Sequence, residues 1–144
     1  NDSMGRYVAE GLVKQMVRAG KCGHDARVAI LGFTFKENCP DTRNTRVIDI
    51  VRELAEYDIA PVVVDPWADK PDVYREYGLQ LSDESDVTGM DAVVIAVAHD
   101  QYRGITMAEI DRMYAPGAKR VLIDVKGILD KDEYRAAGYL YWRL

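Results

Sequence analysis

Four short, almost wholly apolar runs constrain the fold of this chain more than any other feature. They are Arg27–Gly32 (RVAILG), Ala60–Asp65 (APVVVD), Asp91–Ala98 (DAVVIAVA) and Arg120–Val125 (RVLIDV). Short continuous apolar runs, without alternating polar positions, are typical of strands buried on both faces of a parallel sheet. Parallel strands need long crossover connections, so we expect helices between these runs.

Helical spacing occurs in the intervals, as expected. Met4, Val8, Leu12 and Met16 recur every four residues and predict an amphipathic helix over residues 4–19. Further helices are predicted over residues 46–57, 67–78, 106–114 and 130–137, and a short one within residues 82–88. Two more short strands are predicted, at Leu79–Leu81 and, as an edge strand, at Tyr139–Arg143. Alternating strands and helices indicate an α/β fold with a doubly wound, mostly parallel sheet flanked by helices.

Composition narrows the class of protein. The 144 residues suit one domain, and the net charge of −5 without a basic block argues against nucleic-acid binding. No apolar run approaches the roughly 18 residues of a membrane span. Cys22 and Cys39 form no metal-binding pattern, and we expect reduced thiols in a soluble, cytoplasmic protein. The sequence does not begin with Met, and we interpret it as a fragment or a processed chain.

The loop after the first predicted strand, residues 33–45, is long for a connection between a strand and a helix. It carries two cations, Lys36 and Arg43, just before a helix, an arrangement suited to an anion. The alternative is a solvated loop in which Asp41, Thr42 or Asn44 caps the helix. The loop contains neither a G-x-G-x-x-G fingerprint nor a P-loop. Cys39 lies in it without an adjacent histidine, so an inert thiol is the favoured interpretation.

The other strand ends offer weaker candidates, because ligands of open parallel sheets lie at the carboxyl ends of the strands. Asp65 would hold a ribose hydroxyl or form a turn with the proline that follows it. His99 would act as an acid–base group, face a ligand or cap a helix, although its neighbour Asp100 is too close in sequence to make a catalytic pair. Lys126 would join Lys36 on a diphosphate or be an ordinary surface lysine.

One segment carries a family resemblance. Residues 32–44 (GFTFKENCPDTRN) resemble the G-x-x-F-K-x-x-x-x-D-x-R segment of the UDP-glucose/GDP-mannose dehydrogenase family. The later strands, including Val62–Pro66, Asp91–Ala98 and Val121–Lys126, are similar as well. Asn1–Val17 resembles the latter part of the family's long central helix. The segment ENCPDTRN, with AVAH after the third strand, resembles the UDP-N-acetylhexosamine branch of surface polysaccharide biosynthesis.

The resemblance implies an activity and a partial site. The family oxidises the C6 alcohol of a nucleotide sugar to a carboxylate, reducing two NAD molecules through a covalent intermediate on a cysteine. The half that binds NAD and carries that cysteine is not found here, so this chain alone is expected to be inert. Phe35 and Lys36 match substrate contacts, with Lys36 on the UDP diphosphate, and Arg43 matches a residue that reaches NAD. The segment around Lys126 departs from the arginine-bearing form of UDP-glucose enzymes.

The resemblance also implies a domain organisation. Residues 1–22 would be the end of a connecting and dimerising helix, and residues 23–144 a Rossmann-like, UDP-sugar-binding domain. The expected partners are a UDP-sugar, the NAD-binding domain of the same protein and a second copy in a homodimer. Two alternatives remain at this point. The chain would otherwise be a stand-alone nucleotide-binding module, or a structural dimerisation module without catalysis.

Overall fold

The computed structural model describes residues 2–21 and 23–144, with the side chains of residues 2 and 3 left out. The expectation about the thiol of Cys22 lies outside the described residues. The strands are β1 (Val28–Leu31), β2 (Val62–Val64), β3 (Ala92–Ile95), β4 (Val121–Asp124) and β5 (Leu140–Arg143). The helices are α1 (Asp2–Arg18), α2 (Val47–Ala55), α3 (Lys70–Tyr77), α4 (Asp100–Arg103), α5 (Met107–Asp111) and α6 (Lys131–Ala136). Short 3-10 turns lie at Gly23–Asp25 and Glu84–Asp86.

The five strands form one parallel sheet in the order β2-β1-β3-β4-β5. In register, Ile30 of β1 lies between Val63 and Val94, and Val94 pairs with Ile123. The predicted doubly wound α/β fold is therefore confirmed. The chain leaves β1 in one direction towards β2 and returns in the other towards β3. Such a reversal opens a crevice at the carboxyl ends of the central strands, where ligands of this class of fold bind.

Both faces of the sheet are covered, which explains the continuous apolar strands. Side chains alternate between two buried clusters, so that Ile30 enters one and its neighbour Leu31 the other. The first cluster includes the inner sides of α1 and α2, and the second includes buried residues of α4, α5 and α6. No helix among the described residues is long and apolar enough to cross a membrane.

Helix α1 is part of the first cluster. Val8, Leu12 and Met16 are almost completely buried in it, as their four-residue spacing predicted. The helix lies so close to α2 that a Cβ atom on Gly5 would lie 2.6 Å from the Cβ atom of Asp49. Within this structure α1 therefore packs as an integral part of the α/β unit.

Two local predictions were wrong. Leu79–Leu81 is not a strand; it runs past β2, and the next residue, Ser82, donates one backbone hydrogen bond to Val63. Strand β3 ends at Ile95 rather than at Ala98, because β1 turns away at Gly32 and leaves no partner for a longer ladder. The single turn of α4 was not predicted.

Candidate functional site

A cavity of about 100 Å³ lies at the carboxyl ends of β1, β3 and β4. The loop after β1 contributes Phe35, Lys36 and Glu37, and the segment after β4 contributes Lys126. Arg46, at the start of α2, completes the polar part of the wall. Further lining residues are Met4, Thr34, Val47, Ile50, Ala96, Val97 and Val125. Residues 90 positions apart, Lys36 and Lys126, thus meet at one site.

Positive charge dominates the wall of the cavity. Three cations, Lys36, Arg46 and Lys126, line it together with one carboxylate, that of Glu37. All three cations are exposed, and among the described residues none of them forms an ion pair. The amino end of α2 lies at the same place and adds a partial positive charge. The cavity is therefore electrostatically suited to an anionic ligand.

Phe35 gives the site an apolar element. The side chain lines the cavity, and the residue is 51% exposed although its neighbour Phe33 is completely buried. Phe33 packs edge-on against Tyr77, with 5.5 Å between ring centroids. The fold therefore uses one phenylalanine of this loop in its core and leaves the other available for contact with a ligand.

The beginning of the loop is held by the carboxylate of Asp65, which follows β2. Its Oδ2 atom accepts hydrogen bonds from the backbone N–H groups of Phe33 (2.6 Å) and Thr34 (3.1 Å). Its Oδ1 atom accepts from the N–H groups of Trp67 (2.7 Å) and Ala68 (3.0 Å). The side chain is fully buried. The predicted turn role of Asp65 is therefore supported, and the ribose role is wrong because both oxygens are occupied.

His99 adds a further contact to Asp65. Its Nε2 atom lies 2.9 Å from Oδ2 of Asp65, and its Nδ1 atom accepts a hydrogen bond of 2.9 Å from the backbone N–H of Asn38. The side chain is 0% exposed, so it cannot face a ligand in the cavity. Although His99 stands at the N-cap position of α4, its side chain makes no capping bond to that helix. The acid–base, ligand-facing and capping interpretations are thus replaced by a contact with the loop.

These contacts also keep Asp65 ionised. Burial opposes its charge, but hydrogen bonds from His99 and from the N–H groups of Phe33 and Trp67 outweigh burial. The pKa of Asp65 consequently lies below its ordinary value. A charged acceptor strengthens each hydrogen bond that it receives, so the loop is held more firmly than by a neutral group.

Arg43 lies apart from the cavity. It lines a separate groove of about 390 Å³ with Asp41 and residues of α3. Its guanidinium donates to Asp41, with Nε 3.1 Å from Oδ1, and these hydrogen bonds hold the pKa of the Asp41 carboxyl below its usual range. The structure therefore brings Phe35, Lys36 and Lys126 together and separates Arg43 from them.

The start of α2 shows which residue replaces the predicted caps. None of Asp41, Thr42 and Asn44 caps the helix; instead the hydroxyl of Thr45 accepts from the N–H of Val47 at 3.2 Å. The same hydroxyl donates to the carbonyl of Phe33 at 2.5 Å and so closes the loop on itself.

Sequence reasoning missed two features of the site. The sequence pattern places Arg46 only in a helix, although its position directly after the loop and at the helix start is a usable signal for the site. The contact of His99 with Asn38 had no such signal, since it joins residues 61 positions apart.

The end of β1 does not provide a dinucleotide site. In a Rossmann fold that binds NAD, backbone N–H groups at this turn face the pyrophosphate. Here the N–H groups of Phe33 and Thr34 donate to Asp65 instead, and a Cβ on Gly32 would lie 2.7 Å from the Cβ of Val97. The residues present therefore do not fit NAD at this strand end.

Comparison with known proteins identifies the family. Residues 29–131 match the model of the UDP-glucose/GDP-mannose dehydrogenase family, UDP binding domain. The chain belongs to this family. It is 44% identical over 133 residues to the UDP-N-acetyl-D-glucosamine 6-dehydrogenase of Salmonella typhi, covering 92% of the chain and 31% of that protein. It is 39% identical over 144 residues to the protein CapL of Staphylococcus aureus, covering 100% of the chain and 33% of that protein.

A solved structure agrees with the family assignment. The NDP-N-acetyl-D-galactosaminuronic acid dehydrogenase from Methanosarcina mazei Go1 superposes with a TM-score of 0.83 at 28% identity, over 99% of this chain and 29% of that one. The resemblance to the UDP-N-acetylhexosamine branch is thus confirmed, as is the Rossmann-like fold. The chain spans about a third of the length of the curated relatives named above.

Proposed function

We propose that this chain is the substrate-binding domain of an NAD-dependent UDP-N-acetylhexosamine 6-dehydrogenase that serves surface polysaccharide biosynthesis. The cavity at the carboxyl ends of β1, β3 and β4 carries the proposal, since three exposed cations and an exposed phenylalanine line it. A nucleoside diphosphate sugar combines two phosphates with a flat base and with sugar rings whose C–H faces can pack on an aromatic side chain. Its chemistry is therefore complementary to this wall.

Four residues of the cavity have proposed roles. Lys36 and Lys126 bind the diphosphate as point charges from two sides, and Arg46 adds a third positive charge at the start of α2. Phe35 packs on a ring of the ligand and loses its exposure there. Binding of the ligand thus gives the three cations an anionic partner and covers the exposed apolar surface of Phe35.

Arg43 has its proposed role outside the cavity. It faces solvent beside Asp41, in a groove with its own charged residues. In the longer protein it contacts NAD held by another domain, and NAD supplies the oxidising power of the reaction. The residues of this chain bind and orient the nucleotide sugar.

Helix α1 has a proposed role in assembly. Exposed Tyr7 and Val17 line a groove of about 670 Å³ with the partly buried Trp142. We assign this face, at the boundary between residues 1–22 and residues 23–144, to a homodimer of a cytoplasmic enzyme. The same face favours a second candidate function, a structural dimerisation module, which predicts a dimer that binds no nucleotide.

Calorimetric titration of the full-length protein with UDP, and with UMP and ADP as controls, tests the proposal. We expect selective binding of UDP, weakened at least about tenfold in Lys36→Ala, because a charged contact to phosphate is lost. Lys119→Ala is the matched control, since Lys119 is exposed at the opposite, amino edge of the sheet. Equal affinities of wild type and Lys36→Ala would contradict the assigned phosphate site. Dimers that bind no nucleotide would favour the structural candidate.

A further inference from the structure

Four residues form a hydrogen-bonded cluster at the base of the loop that carries Phe35 and Lys36, with the side chains of His99 and Asp65 buried at its centre. We call it the His99 clamp; it consists of Thr34, Asn38, Asp65 and His99. His99 is the centre of the cluster, because its Nε2 atom lies 2.9 Å from Asp65 Oδ2 and 3.2 Å from Thr34 Oγ1. Its Nδ1 atom lies 2.9 Å from the backbone nitrogen of Asn38.

The neighbours of His99 fix its protonation. A backbone N–H has only a hydrogen to offer, so Nδ1 must present a lone pair to Asn38. Asp65 accepts from Nε2, because it is ionised and has no hydrogen of its own. The hydroxyl of Thr34 donates to the carbonyl of Lys36 at 2.9 Å, which leaves its lone pairs towards Nε2. His99 is therefore the neutral tautomer with hydrogen on Nε2, a donor on one side and an acceptor on the other.

The His99 clamp holds both ends of the short segment from Thr34 to Asn38 by hydrogen bonds. Thr34 is held by Asp65 at one end, and Asn38 is held by His99 at the other. Asn38 is fixed a second time, as its Oδ1 atom accepts from the N–H of Asp100 at 3.0 Å. Between the two held ends lie only Phe35, Lys36 and Glu37. Three residues fixed at both ends have little freedom, so the clamp sets where Lys36 and Phe35 meet the cavity.

We propose that His99 is a positioning residue for ligand binding, which acts by accepting the Asn38 N–H bond and thereby holding Phe35 and Lys36 at the cavity. The proposal rests on the proposed function, in which these two residues bind the nucleotide. It goes beyond a stabilising role for His99. Its two ring nitrogens have separate tasks. Nδ1 holds the Asn38 end of the segment directly, whereas the Thr34 end has its own backbone hydrogen bond to Asp65 and keeps it when the Nε2 contact is lost.

Two substitutions separate the two nitrogens. In His99→Asn the side-chain oxygen can take the place of Nδ1 and accept from Asn38, while the bond to Asp65 is lost. In His99→Gln the amide nitrogen can take the place of Nε2 and donate to Asp65, while the acceptor for Asn38 is lost. Both variants remove an aromatic ring from a buried site, so both are expected to melt at a lower temperature than wild type.

The experiment measures UDP affinity, melting temperature and amide hydrogen exchange of the full-length protein in all three forms. We expect His99→Gln to bind UDP about tenfold more weakly than wild type and to exchange the Asn38 amide faster. His99→Asn should bind within about threefold of wild type and keep the Asn38 amide protected. The UDP affinity of each variant would then depend on whether its side chain still accepts the Asn38 N–H bond, and not on its melting temperature.

Opposite results would overturn the proposal. It fails if His99→Gln binds as tightly as wild type, or if both variants lose affinity in proportion to their melting temperatures. The exchange measurement separates this failure from failure of the proposed function. Absence of UDP binding in the wild type refutes the function, whereas an Asn38 amide equally protected in wild type and His99→Gln refutes the clamp.

Discussion

The imidazole of His99 and the carboxylate of Asp65 meet across the end of a strand to which neither belongs. Nε2 and Oδ2 are 2.9 Å apart, and both side chains are fully buried. Asp65 follows β2 and His99 follows β3, while β1 lies between these strands in the sheet. The pair therefore lies across the carboxyl end of β1, where Asp65 accepts hydrogen bonds from the backbone that follows the strand. The loop that carries Phe35 and Lys36 is in this way fixed by residues that follow the two strands beside its own.

Asp65→Asn is expected to lower the free energy of unfolding by about 3 kcal/mol. The asparagine amide has one acceptor oxygen where the carboxylate has two. Its NH₂ group would face backbone N–H groups, which are donors themselves, so those hydrogen bonds would be lost. Urea unfolding of the variant and the wild type measures the difference. Asp58→Asn is the control, because Asp58 is exposed and has a positive φ of 62°, which asparagine tolerates. A loss no larger than that of the control would contradict the role of Asp65.

The contribution of Asp65 to stability should depend on pH. Its pKa in the folded state is lower than its ordinary value, so the unfolded chain takes up its proton first as pH falls. The stabilisation is therefore complete above about pH 4 and is lost as pH falls through the folded-state pKa. Urea unfolding at a series of pH values checks this. The gap between wild type and Asp65→Asn should narrow in acid, and a gap that widens there would refute the ionised state.

Gly32→Ala is expected to lower the free energy of unfolding by about 3 kcal/mol. The φ of Gly32 is +102°, which strains any residue that has a Cβ atom. The added Cβ would also lie 2.7 Å from the Cβ of Val97 beside the cavity, and this clash destabilises the variant further. Gly117→Ala is a matched control, with a φ of +78° and no atom within 4 Å of an added Cβ, and should cost about 1 kcal/mol. Equal losses in the two variants would show that the approach to Val97 carries no cost.

Leu12→Ala tests whether helix α1 belongs to the same folding unit as the sheet. Leu12 is 0% exposed in the cluster shared with α2 and β1, so its truncation should cost about 3 kcal/mol in one cooperative transition. Val17→Ala, in the same helix but 60% exposed, should change stability by less than about 0.5 kcal/mol. A separate early transition in thermal unfolding of Leu12→Ala would instead support the predicted boundary near residue 22.

Part of the site could be predicted because it lies within one continuous segment. Phe35, Lys36 and Arg43 occur in a single loop, and their order carried the family resemblance. Lys126 could be added because carboxyl ends of parallel strands share one edge. The spacing of the cations alone suggested one anion site for Lys36 and Arg43, whereas the structure places Lys36 at the cavity and Arg43 in a groove beside α3. This separation depends on Thr45 and Asp65 folding the loop back on β1.

The sequence by itself determined the α/β class, the four central strands and the face of α1, because burial on both sides demands continuous apolar runs and a helix buries every third or fourth residue. Tertiary structure decided the strand order, the placing of Arg46 and Lys126 in one cavity, and the partners of Asp65 and His99. It also decided that Leu79–Leu81 forms no ladder and that β3 ends at Ile95. Each of these depends on contacts between residues far apart in the chain, and the local sequence does not encode which distant group supplies a hydrogen-bond partner.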